Sequence, residues 1–336
     1  MDDRYTILRG RDITSQLEDK FFFPVEKRNL YWQSGDLSKG LKISPVRPRF
    51  WAIVDLEKEW VFSTVTDDYV LITNKQAYDF GIEICKYLFH VENNEDLKCI
   101  RATLSWNRAS CRIDLCRFVD FYQPLLNEGW YSFLSIENSY NKTKCLEYNL
   151  GFYNREQDYG FGLYGVGFKA KRPHSSSMKA IRKSFYKEID EKKYNIEWIE
   201  ESFYKKIQQL KGISISKENM LAMFCRVFEI NSKNIKKNGE TYRAAKEIKK
   251  LVDKSSIEFT RKHGQNAYAL LNIFANFQYR YYYPKLGYSL FGPNVILGKW
   301  VDDLLSASGK ENFSLVDYIG SEAIKAAEWL RIEFPE

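Results

Sequence analysis

The sequence lacks the segments that mark an exported or membrane-spanning protein. None of its apolar runs reaches the eighteen or more residues that a membrane-spanning helix needs. The first residues, 1–5, do not begin a basic segment followed by an apolar one, which is the pattern of a secretory signal. We therefore expect a cytoplasmic protein with no membrane partner.

Histidine is scarce and cysteine is scattered, which argues against a metal site. The three histidines show neither an H-x-x-x-H nor an H-E-x-x-H spacing, and the six cysteines include no C-x-x-C pair. We expect the cysteines to be reduced and mostly buried. His263, between Lys262 and Gly264, suits the end of a helix better than a general base. The sequence predicts no metal ligands and no cofactor.

Motifs of catalysis are absent as well. The chain has no G-x-x-x-x-G-K-[ST] phosphate loop and no G-x-S-x-G nucleophile elbow. Gly160, Gly162 and Gly165 match G-x-G-x-x-G, but no helical pattern or ribose-binding acid follows at the expected distance. Adjacent acids that could bind Mg²⁺ are usually surface residues, and they occur at Asp67-Asp68, Glu200-Glu201 and Asp302-Asp303. We predict no catalytic residue and a protein that is not an enzyme; an enzyme acting on nucleotides is the third hypothesis.

The N-terminal half, residues 1–168, has the pattern of an α+β domain. Short β-branched and aromatic runs at 51–55, 60–65 and 69–73 predict an antiparallel meander. Asn74 then resembles an N-cap, and the helical spacing that follows it predicts a helix that covers one sheet face. Further strands are predicted at 99–105, 111–118, 130–137 and 144–153, which gives a sheet of about seven strands. The glycine-rich segment 159–168 predicts a loop, an irregular strand or a hinge.

The C-terminal half, residues 169–336, has a mostly helical pattern. A long helical segment follows Ser175–Ser177 to about Leu210, with a break near Asn195. Four more helices are predicted, at 217–230, 240–259, 266–283 and 314–332. In the helix at 240–259, apolar residues lie on one side, and the opposite side is predicted to carry Arg243, Lys246, Lys249, Lys250 and Lys254. The two halves are predicted as a β-rich domain and a helical, basic domain, which are also able to pack as one unit.

Positive charge is concentrated in the second half. Residues 1–167 carry a net charge of −3, whereas residues 168–299 carry +15 and the segment from Val301 carries −5. Such segregation gives a positive face where the cations lie together, or ordinary solvated helix faces where they point apart. The candidate binding residues are Lys169, Lys171, Arg172, Lys179, Arg182, Lys183, Arg243, Lys246, Lys249, Lys250, Tyr279, Arg280, Tyr281 and Tyr282.

These candidates mix cations with aromatic rings. Cations neutralise phosphates and exposed rings stack on unpaired bases, so the mixture is typical of nucleic-acid binding. Tyrosine and arginine are also preferred anchors of protein interfaces. The composition therefore leaves nucleic acid and protein open as partners, and homo-oligomers fit either.

Several stretches resemble the phage/plasmid-like protein family, a domain of unknown function. The resembling residues are Phe50–Val54, Tyr69–Asn74 with Ala77, Ser135–Thr143 and Asn266–Asn272, within residues 45–305. Where that family continues into an element with Arg, Cys and Asn-Gly, this chain has residues 151–160, which lack the cysteine. The resemblance implies a mobile-element origin in a bacterial host cell and an α+β fold. The resemblance supplies no established activity and no catalytic residue.

Two hypotheses of function follow. The first is a non-catalytic phage or plasmid accessory protein that binds nucleic acid in replication or recombination. The second is a viral inhibitor that docks on a host antiviral defence complex and blocks its DNA-processing activity by protein-protein contact. The basic segment supports the first, and the tyrosine-rich cluster at 279–288 together with the missing family element supports the second.

Overall fold

The computed structural model describes residues 5–34, 42–45, 50–122, 129–154, 159–162, 169–192, 194–231, 240–277 and 292–335. The chain divides into two compact units. The first unit consists of Met1–Pro124, Ser132–Leu150 and Phe168–Ile196, and the second of Leu125–Tyr131, Gly151–Gly167 and Glu197–Glu336. The predicted α+β class is confirmed, with 49% helix and 26% strand, and helices predominate from residue 178 onward. Along the described part of the chain, no helix combines the length and the apolar character that a bilayer crossing requires.

Twelve strands and eleven α-helices are found in the described residues. The strands are β1 (Tyr5–Arg9), β2 (Val25–Asn29), β3 (Tyr31–Ser34), β4 (Lys42–Pro45), β5 (Trp51–Asp55), β6 (Trp60–Val65), β7 (Leu97–Ser105), β8 (Ser110–Arg117), β9 (Trp130–Ser139), β10 (Leu146–Asn154), β11 (Tyr159–Gly162) and β12 (Lys169–Arg172). The helices are α1 (Ser15–Phe21), α2 (Asn74–Phe89), α3 (Phe118–Tyr122), α4 (Met178–Lys192), α5 (Ile196–Gly212), α6 (Lys217–Val227), α7 (Glu240–His263), α8 (Ala267–Phe277), α9 (Gly292–Ser308), α10 (Leu315–Ile319) and α11 (Ser321–Glu333).

A seven-stranded sheet contains the four strands predicted between residues 99 and 153. Its order is β1-β7-β8-β9-β10-β11, and β12 also pairs with β10. Its strands pair antiparallel, from Tyr5 opposite Ser105 at one edge to Lys169 opposite Asn149 at the other. The predicted number of strands, seven, is correct, but the set of strands that forms the sheet differs from the prediction. Strands β5 and β6 belong to a separate three-stranded sheet, β2-β5-β6.

The prediction of a third meander strand at 69–73 is wrong. This stretch has no strand structure because its backbone groups bind elsewhere. The Lys27 ammonium donates to the Tyr69 carbonyl at 2.7 Å, and the Val70 N–H donates to the His174 carbonyl at 2.6 Å. The place of the third strand is taken by β2, which pairs with β5 from Val25 opposite Asp55 to Asn29 opposite Trp51.

Helix α2 covers one face of the large sheet, as predicted. Tyr148 of β10 donates its hydroxyl to the Ala77 carbonyl at 3.0 Å, and a Cβ added at Gly81 would collide with the Ile136 side chain. Glycine is required at 81 because the helix lies that close to β9. The N-cap, however, is Thr73 rather than Asn74: Thr73 and Gln76 form a reciprocal capping box.

Asn74 is buried and connects the end of α1 with the end of β9 in the first unit. Its N–H donates to the Tyr140 hydroxyl at 2.8 Å, and its side-chain oxygen accepts from Asn138 at 3.0 Å. Its amide nitrogen donates to the Phe21 carbonyl at 3.1 Å. A side chain with these partners holds tertiary structure together rather than capping its own helix.

The helices of the C-terminal part follow the predicted pattern with two differences. The predicted break near Asn195 is present between α4 and α5, and α7 ends at His263 before Gly264, which has φ of +84°. The closing helix at 314–332 is interrupted, because Gly320 adopts φ of +85° between α10 and α11. Helix α9 was not predicted. The aromatic helix at 266–283 is seen as α8 to Phe277, and the remainder lies outside the described residues.

Candidate nucleic-acid interface

The first six predicted binding residues lie on two neighbouring elements of the first unit. Lys169, Lys171 and Arg172 are on β12, and Lys179, Arg182 and Lys183 are on α4. We call these six residues the β12–α4 cluster. Arg172 joins the two elements, since its guanidinium donates to Glu188 of α4 at 2.7 Å.

Half of the β12–α4 cluster is neutralised by carboxylates. Besides the Arg172–Glu188 pair, Lys171 contacts Glu147 of β10 at 2.9 Å, and Arg182 contacts Glu83 of α2 at 2.6 Å. The hydrogen bond that Lys171 donates to the Glu147 carboxylate raises the pKa of Lys171 above its ordinary value. A cation whose charge is already balanced attracts a phosphate less strongly, so the cluster is a weaker anion site than its sequence predicts.

The lysines of β12 also have a structural role. Among the described strands, β12 pairs with β10 alone and so forms part of the sheet edge. Lys169 and Lys171 are exposed there, while Ala170 between them is buried. Lysines on an edge strand prevent pairing with a further chain, which explains these two residues without a ligand.

The outer face of α4 carries a row of lysines. Lys179, Lys183 and Lys187 recur every four residues on the face opposite the buried Ile181 and Phe185. Neither Lys179 nor Lys183 has an ion pair with another described residue. We call these three lysines the α4 stripe.

Helix α7 separates its cations onto two faces, and Lys249 is not on the face predicted for it. The buried side of the helix contains Ala245, Lys249, Val252, Ser256 and Phe259, at spacings of three and four residues. Lys249 is only 3% exposed, and its ammonium pairs with Asp253 on the next turn. It therefore does not belong to the outer face on which its neighbours lie.

The outer face of α7 carries a straight row of cations. Lys246, Lys250, Lys254 and Arg261 are exposed and lie on one side of the helix, and Ile257 stands among them with 68% of its surface exposed. Positions separated by four, eight, eleven and fifteen residues fall close to one line along a helix. We call the four cations the α7 stripe.

The α7 stripe differs from the β12–α4 cluster in its partners. In the described part of the chain, no carboxylate forms an ion pair with Lys246, Lys254 or Arg261. Lys246 lies 5.4 Å from the centre of the Phe334 ring, a contact that leaves its charge in place. The backbone of Arg243 is on the same helix, but its side chain lies outside the described residues, as do Tyr279, Arg280, Tyr281 and Tyr282 entirely.

A buried polar face on the large sheet was not predicted. In the register of the sheet, Arg101 faces Asp114 and Asp114 faces Ser135, while Thr103 faces Arg112 and Arg112 faces Glu137. Each of these residues is less than one-tenth exposed. The alternation of polar residues at 101/103, 112/114 and 135/137 was visible in the sequence and is the signal of this face. We call these six residues the polar face.

Charges and hydrogen bonds link much of the polar face. Arg112 donates to Asp114 at 2.7 Å, and Glu137 accepts from Lys144 at 2.9 Å. Burial raises the pKa of Glu137 above its ordinary value, and the nearby cations Lys144 and Arg112 oppose that shift. The oxygens Thr103 Oγ1, Asp114 Oδ2 and Ser135 Oγ have no hydrogen-bond partner among the described residues. Acceptor oxygens beside guanidinium groups suit ordered water or a small polar molecule.

An exposed aromatic group in the first unit was also missed. Trp60 and Val61 of β6 are 41% and 59% exposed, and Trp106, in the turn after β7, is 63% exposed. The two indole rings contact each other edge to face, with their centres 6.3 Å apart. We call these three residues the aromatic corner. Exposed tryptophans in contact are typical of protein interfaces.

The acidic residues and the cysteines have no metal-binding arrangement in the part of the chain that is described. No group of three or more His, Cys, Asp or Glu could hold a metal ion there. Asp302 pairs with Lys206 of α5, which gives this carboxylate a structural partner. All six cysteines are free and five are buried, as expected.

The geometry defines an α+β protein with an exposed basic face on α7. Comparison with known proteins adds no name to this description: no family model, no curated protein and no solved structure matches the chain. Two of the stretches on which a family resemblance was predicted have structural roles here. Asn138 binds Asn74 and the Ile72 carbonyl, and Asn266 accepts from the Ala269 N–H at the start of α8.

Proposed function

We propose that this protein binds nucleic acid through the α7 stripe, as a non-catalytic accessory protein of a phage or plasmid in the cytoplasm of its bacterial host. Replication or recombination is the setting. The observation that supports the proposal is the row of four exposed cations on α7, three of which have no acidic partner among the described residues.

The spacing of the α7 stripe suits a regular polyanion. Residues four apart on a helix are separated by about 6 Å along its axis, and the row from Lys246 to Arg261 extends about 22 Å. Several lysines and arginines along one line neutralise several phosphates at once. The counterions that these phosphates release make the affinity fall steeply with salt.

Ile257 adds an apolar contact to the same line. Its exposed side chain stands between Lys254 and Arg261, where a bare inorganic anion gains nothing from it. Nucleic acid presents apolar surface next to its phosphates, on sugars and on base faces or methyl groups. The combination therefore favours nucleic acid over other polyanions.

The experiment is a titration of labelled single- and double-stranded DNA at two salt concentrations. The test variant is K246Q/K254Q/R261Q on α7, and the matched control is K179Q/K183Q/K187Q on α4, which removes the same charge from another exposed helix. We expect the α7 variant to bind at least a hundredfold more weakly and its salt slope to fall by about one for each cation removed. The control should lose less than tenfold. Absence of binding by the unaltered protein at low salt, or equal losses in the two variants, would overturn the proposal.

The aromatic corner favours a second candidate function. An inhibitor that docks on a host antiviral defence complex needs large exposed anchors, and Trp60, Val61 and Trp106 supply them. A pull-down from lysate of a host should then return a stoichiometric partner that W60S/W106S loses and K246Q/K254Q/R261Q retains. A partner that both variants retain equally would remove the aromatic corner from consideration.

A further inference from the structure

Lys249 is an unusual residue for the buried side of a helix. Ala245, Val252 and Phe259 on the same side are small or apolar, whereas Lys249 brings an ammonium group into a position that is 3% exposed. Removing a charge from water costs several kcal/mol unless close partners compensate it. Asp253 is such a partner, but its side chain is 31% exposed, so the pair is open on one side.

The open side is a cleft of about 360 Å³ within the second unit. Helix α7 contributes Lys249, Asp253 and Ser256 to its walls, the first turn of α6 contributes Lys217 and Glu218, and the last turn of α11 contributes Arg331. These three helices pack against one another. A cleft between packed helices is a common place for a small ligand, and this volume is within the range of such sites.

The cleft has more cations than carboxylates. Lys217, Lys249 and Arg331 face Glu218 and Asp253, which leaves a net charge of +1. Arg331 is held at the cleft because its guanidinium donates to the Glu218 carbonyl oxygen. A guanidinium has five donors and an ammonium has three. Asp253 is the one acceptor that Lys249 meets among the described residues, so donors of both groups remain for a ligand.

The α6 end of the cleft already stabilises negative charge. The pKa of Glu218 lies below its ordinary value because its own backbone N–H and the Ser216 hydroxyl bind its carboxylate. The N-cap of α6 is Ser216, so the positive end of that helix lies here. An anion in the cleft would therefore meet a favourable field from α6 as well as from Lys249 and Arg331.

We propose that this cleft binds a phosphate group. The Lys249 ammonium then bridges the Asp253 carboxylate and one phosphate oxygen, and Arg331 donates two parallel hydrogen bonds to the others. Leu221 and Val252 complete the walls, and no aromatic ring is among the lining residues, so the phosphate rather than a base is recognised. No residue of the α7 stripe lines the cleft, and the proposal is independent of nucleic-acid binding by that stripe.

The test is calorimetric titration of the full chain with inorganic phosphate and with pyrophosphate at constant ionic strength. We expect binding that falls at least tenfold in R331Q and in K249M, while K325Q, at an exposed position of α11 outside the cleft, binds as the unaltered protein does. Because K249M leaves Asp253 without its cation, K249M/D253L is measured beside it. This double variant restores an apolar pair and should fold stably without binding phosphate.

The source of the phosphate is distinguished in a second arm. Oligonucleotides with a 5′-phosphate and with a 5′-hydroxyl are compared in the K246Q/K254Q/R261Q background, where the α7 stripe no longer contributes. A preference for the phosphorylated end that R331Q abolishes assigns the cleft to a nucleic-acid terminus, and binding of inorganic phosphate alone assigns it to a small phosphorylated molecule. No phosphate binding at millimolar concentration in either arm, or binding that R331Q and K249M/D253L both retain, would overturn the proposal.

Discussion

The β12–α4 cluster and the α7 stripe are similar in residue composition but differ in their acidic partners. Both are rich in lysine and arginine, and both lie on regular elements with an exposed side. In the first unit, Glu83, Glu147 and Glu188 balance half of the cluster. On α7, Lys246, Lys254 and Arg261 have no such partner among the described residues. The same type of residue thus stabilises the fold in one region and is open to a ligand in the other.

The difference shows what a count of charges leaves out. Two of the balancing acids, Glu83 and Glu147, belong to the N-terminal half, where the net charge is negative. Their partners, Arg182 and Lys171, belong to the basic half. Part of the charge segregation along the sequence is therefore cancelled by folding, and the remaining positive charge is more localised than the sequence indicates.

The buried carboxylate of Glu137 in the first unit pairs with Lys144, and its removal gives the largest expected effect. In Glu137→Gln, Lys144 and Arg112 lose a buried counter-charge, and we expect a loss of about 3 kcal/mol in the free energy of unfolding. Urea denaturation measures it. The matched change on α7, Glu258→Gln, affects an exposed residue and should alter stability by less than about 0.5 kcal/mol. A loss below about 1 kcal/mol in Glu137→Gln would contradict the role of pairing in this unit.

Local patterns predicted much of the fold because they depend on short stretches of chain. The alternation in β8 and β9, the spacing of apolar residues in α2 and α6, and the break before α5 were all read correctly. The local pattern does not show which strands share a sheet. Strand β2 pairs with β5 in the place predicted for residues 69–73, and those residues bind distant groups instead. Along the sequence, Lys27 lies more than forty residues from Tyr69, and His174 lies more than one hundred residues from Val70.

The candidate site was predicted less completely, for the same reason. The outer row of α7 follows from helical spacing, and Lys246 and Lys250 were placed on it. Lys249 was assigned to the wrong face because the pattern gave no sign that a lysine would be buried and paired with Asp253. The aromatic corner joins Trp60 and Trp106 from separate hairpins, and no local pattern brings them together.

A titratable group next to β12 gives the second prediction. His174 is buried and stacks on Tyr69 with ring centres 5.1 Å apart, and neither of its ring nitrogens has a partner among the described residues. Burial lowers the pKa of His174 below 6.5. Below pH 6.5 the unfolded chain binds a proton that the folded chain does not, so stability is lost as the pH falls, by at most about 1.4 kcal/mol per unit until the folded pKa is reached.

The measurement is urea denaturation between pH 7.5 and pH 5 for the unaltered protein and for His174→Phe. The aromatic replacement keeps a ring on Tyr69 and should remove this part of the pH dependence. His90→Asn is the control, because His90 is exposed and its left-handed backbone, with φ of 53°, tolerates asparagine. Equal pH profiles for the unaltered protein and His174→Phe would show that another group is responsible.

The third prediction concerns Glu83, whose removal should make the charge of the β12–α4 cluster more like that of the α7 stripe. Glu83 accepts from the Arg182 guanidinium at 2.6 Å and from the Tyr186 hydroxyl at 3.2 Å, and its side chain is 37% exposed. Because solvent screens this pair, Glu83→Gln should cost about 1 kcal/mol of stability or less. The same change frees the positive charge of Arg182 beside the α4 stripe. In a DNA titration, K179Q/K183Q/K187Q should therefore cause a larger loss of affinity in the Glu83→Gln background than in the unaltered one. An unchanged loss would mean that neutralisation by Glu83 is not what separates the two regions, and that the geometry of the α7 row alone does so.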